Sequence, residues 1–144
     1  LGRCRVIHAI GRGPLVRWEH LAHALADAPP RVLVRVYQRQ PQQAFDDDLP
    51  AFAPETVERL ADAGVTLLGT DSASVDPASS KDLPSHQVLR RRGLRVLENL
   101  VLDDVPEGDY ELIALPLKLM TADASPVRAV LRDLAEPGTA PRSP

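Results

Sequence analysis

Apolar segments that resemble strands alternate with amphipathic segments through the first two thirds of the chain. The runs over 3–10, 31–37 and 65–71 are rich in apolar and β-branched residues, and each adjoins a glycine or a proline. Between them lie segments whose apolar residues recur with the spacing of a helix. Because strands that alternate with helices pack as layers around a sheet, this order predicts an α/β architecture.

Two helices are predicted between these strands. In the segment 15–28, Trp18, Leu21, Ala22 and Leu25 have the i, i+3, i+4, i+7 spacing of one helical face, and two prolines follow. The second predicted helix occupies 54–64, because proline is favoured at the first helical position and glycine suits the left-handed cap. Each helix is thus bounded by a residue type that ends or begins helices.

The remaining third of the chain is predicted to add a short helix and further strands. The helix begins near Ser85 and ends at Gly93, and an extended element follows over 94–102. The run 111–119 is almost entirely apolar, which is typical of a strand covered on both faces. The segment 125–131 fits a helix or a strand, and we favour a strand. Loops are predicted over 38–53, 72–84 and 103–110, and a disordered tail over 136–144. We expect 1–135 to belong to a single domain.

The composition excludes several classes of protein. A net charge of −3 and a pI near 5.8 provide no basic surface for nucleic acid or for an acidic membrane. A single cysteine excludes both an internal disulfide and a CxxC zinc site. Neither a signal peptide nor a run of eighteen apolar residues is visible. We therefore expect a soluble globular protein of the cytoplasm that binds neither nucleic acid nor membranes.

Several short patterns have an ordinary structural explanation beside a chemical one. His20 and His23 have helical spacing for zinc, but they flank the apolar face and are expected to face solvent. The run Asp46-Asp47-Asp48 matches no calcium loop and is interpreted as a solvated acidic loop. The three arginines at 90–92 are interpreted as a solvated helix end, where positive charge complements the helix dipole. Cys4 is expected to be a small buried apolar group, and His8 a hydrogen-bonded core histidine.

One further pair can bind a metal ion. In the stretch HQVLRRRGLRVLE, His86 and Glu98 lie on either side of the predicted helix end at Gly93. A helix that stops there and continues as a strand could bring the imidazole and the carboxylate together. Nitrogen and oxygen ligands together suit Zn²⁺ or Mn²⁺. The alternative is an exposed histidine and a solvated glutamate, although a carboxylate among so many apolar residues is costly to bury unpaired.

The longest distinctive stretch of the sequence resembles a known enzyme family. The segment LENLVLDDVPEGDYELIALPLKL, with GTDSASVDP before it and ASPVRAVL after it, resembles the bacterial kynurenine formamidases (arylformamidases) of the metal-dependent cyclase family. The likeness extends from about Leu1 to Leu134. It implies a swivelling β/β/α domain that works as a homodimer and hydrolyses N-formyl-L-kynurenine to L-kynurenine and formate in tryptophan degradation.

The resemblance also implies a metal centre. The family is described as zinc-dependent, usually with two ions, and Mn²⁺ is a possible substitute. Its later ligands follow the pattern H-x(11)-E, which places them at His86 and Glu98 of this sequence. Its other ligands and its acid/base histidine lie in an H-x-G-T-H-x-D-x-P-x-H motif, which does not occur here. We expect that motif to lie upstream of Leu1, so that this chain is the C-terminal part of a longer protein and the catalytic histidine is not among its residues.

Two alternatives remain at this point. The chain could come from another amidase of the same family, such as an isatin-hydrolase-like enzyme, because the residues that select the substrate cannot be located from the sequence. It could also be a non-catalytic remnant, because most metal ligands are missing. Metal binding by His86 and Glu98 would distinguish the non-catalytic remnant from both enzymes, the kynurenine formamidase and the related amidase.

Overall fold

The computed structural model describes residues 1–134 of the chain. The predicted tail over 136–144 lies outside the described residues. The helices are α1 (Trp18–Leu21), α2 (Pro54–Asp62) and α3 (Pro84–Arg92), with a 3₁₀ turn at Ala22–Ala24. The strands are β1 (Gly2–His8), β2 (Leu15–Val16), β3 (Arg31–Arg35), β4 (Ala51–Phe52), β5 (Leu67–Thr70), β6 (Arg95–Leu97), β7 (Gly108–Ala114) and β8 (Ala129–Asp133).

Six of these strands form one mixed sheet in the order β6-β5-β3-β1-β7-β8. The first four are mutually parallel, whereas β7 runs antiparallel to β1 and β8 antiparallel to β7. Strands β2 and β4 form a separate parallel pair. A parallel core with helical crossovers is the defining feature of α/β folds, so the predicted fold class is confirmed.

The two faces of the sheet are covered differently. Alternate residues of β3 separate, with Val32 and Val34 in the core beneath the helices and Leu33 in a second cluster on the opposite face. The helix-covered core includes Leu60 of α2 and Val88 of α3. The opposite cluster includes Leu100 and Leu102 from the loop after β6. Within residues 1–134 the second face is therefore covered by loops rather than by helices.

The first predicted helix is much shorter than its apolar pattern indicated. Leu15 and Val16 pair with Ala51 and Phe52 as strands, and Arg17 is extended, so helical geometry cannot begin before Trp18. Asp27 adopts a left-handed conformation ahead of the two prolines. The same pairing places a short strand inside the predicted loop 38–53, which sequence reasoning did not anticipate. Tertiary pairing thus overrides helical periodicity in this segment.

The prediction of a covered strand over 111–119 is wrong in its second half. Strand β7 ends at Ala114, and its pairing with β8 ends at the same residue. Pro116 has no N–H to donate to a neighbouring strand, and Leu115, Leu117 and Leu119 are all exposed. The extended element after α3 is likewise only three residues long. The preferred strand near 125–131 is confirmed in type, as β8, with its start four residues later than predicted.

The helices α2 and α3 agree with the sequence, including the left-handed glycine cap of α3 at Gly93. The arginines at the end of α3 are not simply solvated. Arg91 and Arg92 both pair with Glu58 of α2, and they lower the pKa of that carboxyl group. The basic end of α3 therefore contacts α2 as well as complementing its own dipole.

Cys4 is fully buried in β1, as predicted, and burial raises the pKa of its thiol to about 11. A thiol with so high a pKa remains protonated at neutral pH and is a poor nucleophile. None of the helices in residues 1–134 has the length and hydrophobicity that crossing a membrane requires.

A bidentate ion pair connects three parts of the fold. The Arg5 guanidinium donates to both carboxylate oxygens of Asp109, at 2.6 and 3.1 Å, and to the backbone carbonyls of Ala24 and Ala26. Both side chains are about one fifth exposed. The hydrogen bond from Arg5 lowers the pKa of Asp109. The pair therefore stabilises the folded chain while Asp109 is ionised.

We expect Asp109→Asn to lower the free energy of unfolding by about 1–2 kcal/mol at pH 7, because charge-assisted hydrogen bonds are lost. The folded-state pKa is depressed, so this stabilisation is present above the unfolded pKa of about 3.9 and disappears as the pH falls through the folded value. Urea denaturation of both proteins at several pH values measures it. Asp104→Asn, at a side chain that is 87% exposed, is the control. An equal loss at pH 7 and at pH 3 would contradict the assignment.

Candidate metal centre

The candidate site lies where the parallel strands end. Strands β3, β5 and β6 point the same way, so the loops that follow Arg35, Thr70 and Leu97 meet at one edge of the sheet. In α/β folds this edge is where ligands bind. Glu98 follows β6 directly, and His86 lies in the first turn of α3.

A buried carboxylate positions the start of α3. Asp76 has no exposed surface, and its two oxygens accept hydrogen bonds from the backbone N–H groups of Ser85 (2.8 Å) and His86 (2.9 Å). These N–H groups lack partners inside the helix, and the positive end of the helix dipole attracts an anion. Ser85 adds a hydrogen bond from its hydroxyl to the carbonyl of Phe52, at 2.9 Å. The first turn is therefore held from two sides.

The same carboxylate orients the imidazole of His86. Nδ1 of His86 lies 2.7 Å from Oδ2 of Asp76. Because an ionised carboxylate only accepts hydrogen bonds, Nδ1 carries a proton, and in the neutral ring Nε2 then has the lone pair that a metal ion requires. Metal-binding histidines commonly have such a carboxylate partner, which fixes both the tautomer and the ring orientation.

Glu98 meets this imidazole from the other side. Its Oε1 lies 3.3 Å from Nε2 of His86 and accepts a hydrogen bond from the backbone N–H of Val75, at 2.9 Å. The two side chains are 33% and 27% exposed, so solvent reaches the space beside them. Ligand atoms about 2.1 Å from a shared tetrahedral ion are separated by roughly 3.4 Å. The donor types and the observed separation both fit a zinc ion.

The described residues contribute only this pair to such a centre. The carboxylate of Asp76 already accepts hydrogen bonds from Ser85 and His86. No group of three His, Cys, Asp or Glu residues suited to a metal occurs within 1–134. A zinc ion bound here would have its remaining positions filled by water or by ligands from elsewhere.

The other histidines occupy different places in the fold. Nδ1 of His20 accepts a hydrogen bond from the backbone of Arg17, whereas exposed His23 pairs with Glu107, so the two do not share a ligand site. His8 is hydrogen-bonded through Nε2 to the carbonyl of Val105, as predicted, although it is half-buried at the strand end.

The acidic run has one member with a structural role. Asp46 accepts a hydrogen bond from the Tyr37 hydroxyl at 2.8 Å, whereas Asp47 and Asp48 are exposed.

Sequence reasoning missed Asp76 as a partner of the candidate metal pair, His86 and Glu98. The available signal was its place in SVDP, a short polar loop ahead of a helix start, but nothing in the spacing indicated contact with His86.

A second buried carboxylate holds the neighbouring loop. Asp71 follows β5, has no exposed surface, and accepts hydrogen bonds from the backbone N–H groups of Val36 (2.7 Å) and Tyr37 (3.3 Å). Burial raises its pKa, although these two hydrogen bonds oppose the change. Asp71 thus fixes the path of the chain as it leaves β3.

No protein-family model matches the chain. It is 74% identical to the kynurenine formamidase of Paracidovorax citrulli over 136 residues, which cover 92% of this chain and 63% of that protein. It is also 74% identical to the kynurenine formamidase of Delftia acidovorans, covering 94% of this chain and 64% of that protein. The resemblance to bacterial kynurenine formamidases is confirmed. The kynurenine formamidase of Bordetella pertussis is 67% identical over 94% of this chain and 65% of its own length.

Solved structures show the same fold. A potential metal-dependent hydrolase with cyclase activity superposes with a TM-score of 0.82 at 28% identity, covering 94% of this chain and 66% of the other. An isatin hydrolase bound to the product analogue thioisatinate superposes at 0.68 with 21% identity, covering 88% and 58%, and shares the fold alone. The cyclase-like α/β fold is therefore confirmed. The chain spans somewhat less than two thirds of the length of the three kynurenine formamidases.

Proposed function

We propose that the chain forms part of a metal-dependent arylformamidase that hydrolyses N-formyl-L-kynurenine to L-kynurenine and formate, in tryptophan degradation. The observation that carries the proposal is the 3.3 Å separation between Nε2 of His86 and Oε1 of Glu98, with Nδ1 of His86 held by Asp76. The high identity to proteins named kynurenine formamidase supports the choice of substrate.

Each residue of the pair has a definite task in this proposal. His86 and Glu98 would hold Zn²⁺, and Asp76 would keep the imidazole turned toward the ion. A bound zinc ion supplies a water of lowered pKa and polarises the carbonyl oxygen beside it. Hydrolysis breaks the bond between the formyl carbon and the aniline nitrogen. The water oxygen goes to the formyl carbon and a proton goes to the nitrogen.

Further properties belong to the proposal for the whole protein. We propose zinc as the metal, with two ions in the complete centre and Mn²⁺ as a substitute. We also propose a cytoplasmic homodimer in which 1–135 belongs to a single domain. The resemblance to kynurenine formamidases supports these properties.

The metal pair can be tested on the chain itself. We expect Zn²⁺ to bind weakly, because two protein ligands leave much of the coordination sphere to water. His86→Ala and Glu98→Ala should each weaken this binding by at least about tenfold, since a lost ligand costs no less than a lost supporting residue. Competition with a chromophoric zinc chelator measures the affinity.

His20→Ala is the matched control, because that histidine lies outside the pair and should leave zinc affinity unchanged. A chain that binds no zinc, or binds it equally well without His86 and Glu98, would contradict the metal centre. The activity is tested separately on the full-length protein, by following the appearance of the aromatic amine from N-formyl-L-kynurenine with Zn²⁺ present. Activity that survives both substitutions would identify a different catalytic centre.

A further inference from the structure

An open groove lies on the face of the sheet that the helices leave uncovered. It has a volume of about 890 Å³, and its floor includes Leu33 of β3, Leu112 of β7 and Leu131 of β8, all from the second cluster. The loop after β6 and the segment 124–128 ahead of β8 contribute its walls. Strands β6 and β8 form opposite edges of the sheet, so the groove runs across it. Its volume lies within the range of about 300–1,000 Å³ that is usual for small-molecule sites.

The strand residues that line this groove point their side chains toward it. Ala129 and Leu131 line the groove and pack against the second cluster, whereas Val130 between them is 45% exposed and does not line it. Leu97 of β6 also lines the groove and packs against the second cluster, while its neighbour Val96 packs against the core beneath the helices. Successive residues of a strand point to opposite faces, so Leu97 presents its side chain to the groove.

The groove meets the candidate metal centre at Glu98. This residue contributes to the groove wall, whereas His86 and Asp76 do not. Glu98 follows Leu97 directly, and its side chain is 27% exposed. A molecule bound at this end of the groove therefore lies beside a residue that is proposed to hold the metal ion.

The surface of the groove is mostly apolar. Its lining residues are apolar except for Glu98, Asn99, Ser125 and Arg128. Two of the four already have protein partners, because Oδ1 of Asn99 accepts from the Gln40 amide and Oγ of Ser125 accepts from the Leu117 N–H. An apolar surface beside a metal ligand favours a molecule that joins an apolar body to the group that reacts.

The proposed substrate has this composition. The formamide nitrogen of N-formyl-L-kynurenine is bonded directly to a benzene ring, so the ring lies close to the metal whenever the formyl oxygen does. Removing such a ring from water is favourable, because it is a large apolar surface. The groove offers a matching surface at Leu97, directly before Glu98, and at Leu100, two residues after it.

We propose that the end of this groove next to Glu98 binds the benzene ring of the substrate, with the side chains of Leu97 and Leu100 against the ring. This inference rests on the proposed function, and it names the part of the substrate that this face of the sheet recognises. The contacts are apolar and are made to the ring. The site therefore selects aryl formamides over alkyl formamides.

Nuclear magnetic resonance tests the inference without any turnover. Formanilide, the simplest aryl formamide, and N-methylformamide, which lacks the ring, are titrated into the metal-free full chain with its leucine and valine methyl groups labelled. We expect formanilide to shift the methyl resonances of Leu97 and Leu100 and to leave those of Val57 and Leu60, in the core beneath the helices, in place. N-methylformamide should bind at least about tenfold more weakly, because it buries much less apolar surface.

Substitutions locate the ring. Leu97→Ala removes apolar surface and should weaken formanilide binding by about fivefold or more, whereas Leu97→Met retains that surface and should restore it. Val96→Ala is the matched control, because its side chain faces the helices, and it should bind as the unaltered chain does. Ala129→Phe, near the opposite edge of the sheet, should also leave binding unchanged. Weaker binding by Ala129→Phe would contradict the placement of the ring beside Glu98.

Three further results would overturn the inference. The first is that formanilide leaves the Leu97 and Leu100 methyl resonances unshifted, and the second is that N-methylformamide shifts them equally. The third is a shift in this chain that is absent from the full-length protein, which would mean that another segment of the protein fills the groove. Failure of the proposed function looks different. In that case formanilide binds as expected, but the full-length protein does not hydrolyse N-formyl-L-kynurenine when Zn²⁺ is present.

Discussion

Replacing Asp76 by asparagine is expected to lower the zinc affinity of the chain by about ten- to a hundredfold. The two carboxylate oxygens accept three hydrogen bonds, one from Ser85 and two from His86. Asparagine has a single acceptor oxygen, and its amide N–H groups would face donors that need an acceptor. The imidazole therefore loses either its fixed tautomer or the turn of helix that carries it.

Asp76→Asn should also lower the free energy of unfolding by about 2–4 kcal/mol, because buried donors lose their acceptor. Zinc competition and urea denaturation on the same preparations measure the two effects. Asp82→Asn is the matched control, since Asp82 is exposed in the same loop and should change neither quantity. Unaltered zinc affinity in a folded Asp76→Asn chain would show that this carboxylate does not support the metal pair.

Phe52→Ala is expected to cost about 3–5 kcal/mol of stability, the range for deleting a buried aromatic ring. Phe52 is 1% exposed and belongs to the core beneath the helices. Its backbone contacts both sides of the candidate site, because its N–H donates to the Val75 carbonyl and its own carbonyl accepts from Ser85. The ring would therefore be lost from a residue whose backbone holds both the loop before α3 and the first turn of that helix.

Urea denaturation at neutral pH measures this cost, and Phe45→Ala provides a control with the same change of side chain. Phe45 is 64% exposed, so its removal should alter stability by no more than about 0.5 kcal/mol. Equal effects of the two substitutions would mean that Phe52 is not part of a close-packed core.

Residue pattern predicted the elements whose boundaries are set locally. Helix α2 starts at its proline, α3 ends at its glycine, and β3 follows Pro30. The pattern failed where distant pairing decides the outcome. The apolar residues around Trp18 fit a helix, but the pairing of β2 with β4 depends on residues some 36 positions apart in the sequence. No local window contains that information.

The candidate site shows the same division. The pair His86 and Glu98 was proposed from donor chemistry and from the resemblance to a family, and the fold brings Nε2 of His86 and Oε1 of Glu98 within 3.3 Å of each other. Asp76 was not proposed. Its importance comes from burial and from partners in another element, and a linear sequence shows neither. An aspartate before a proline is common in loops, and only the fold distinguishes one that supports a helix start from one in solvent.

Adjacent residues of one short loop hold both members of the metal pair. The Val75 N–H anchors the carboxylate and Asp76 anchors the imidazole, so a single peptide unit sets the spacing between a strand end and a helix start. The two side chains are thus held in place without an ion, so binding a metal ion there, as proposed, would lose little ordering entropy. Because both side chains are held by the same loop, a change in its backbone would move both together. The affinity for a metal ion would then change through both ligands at once.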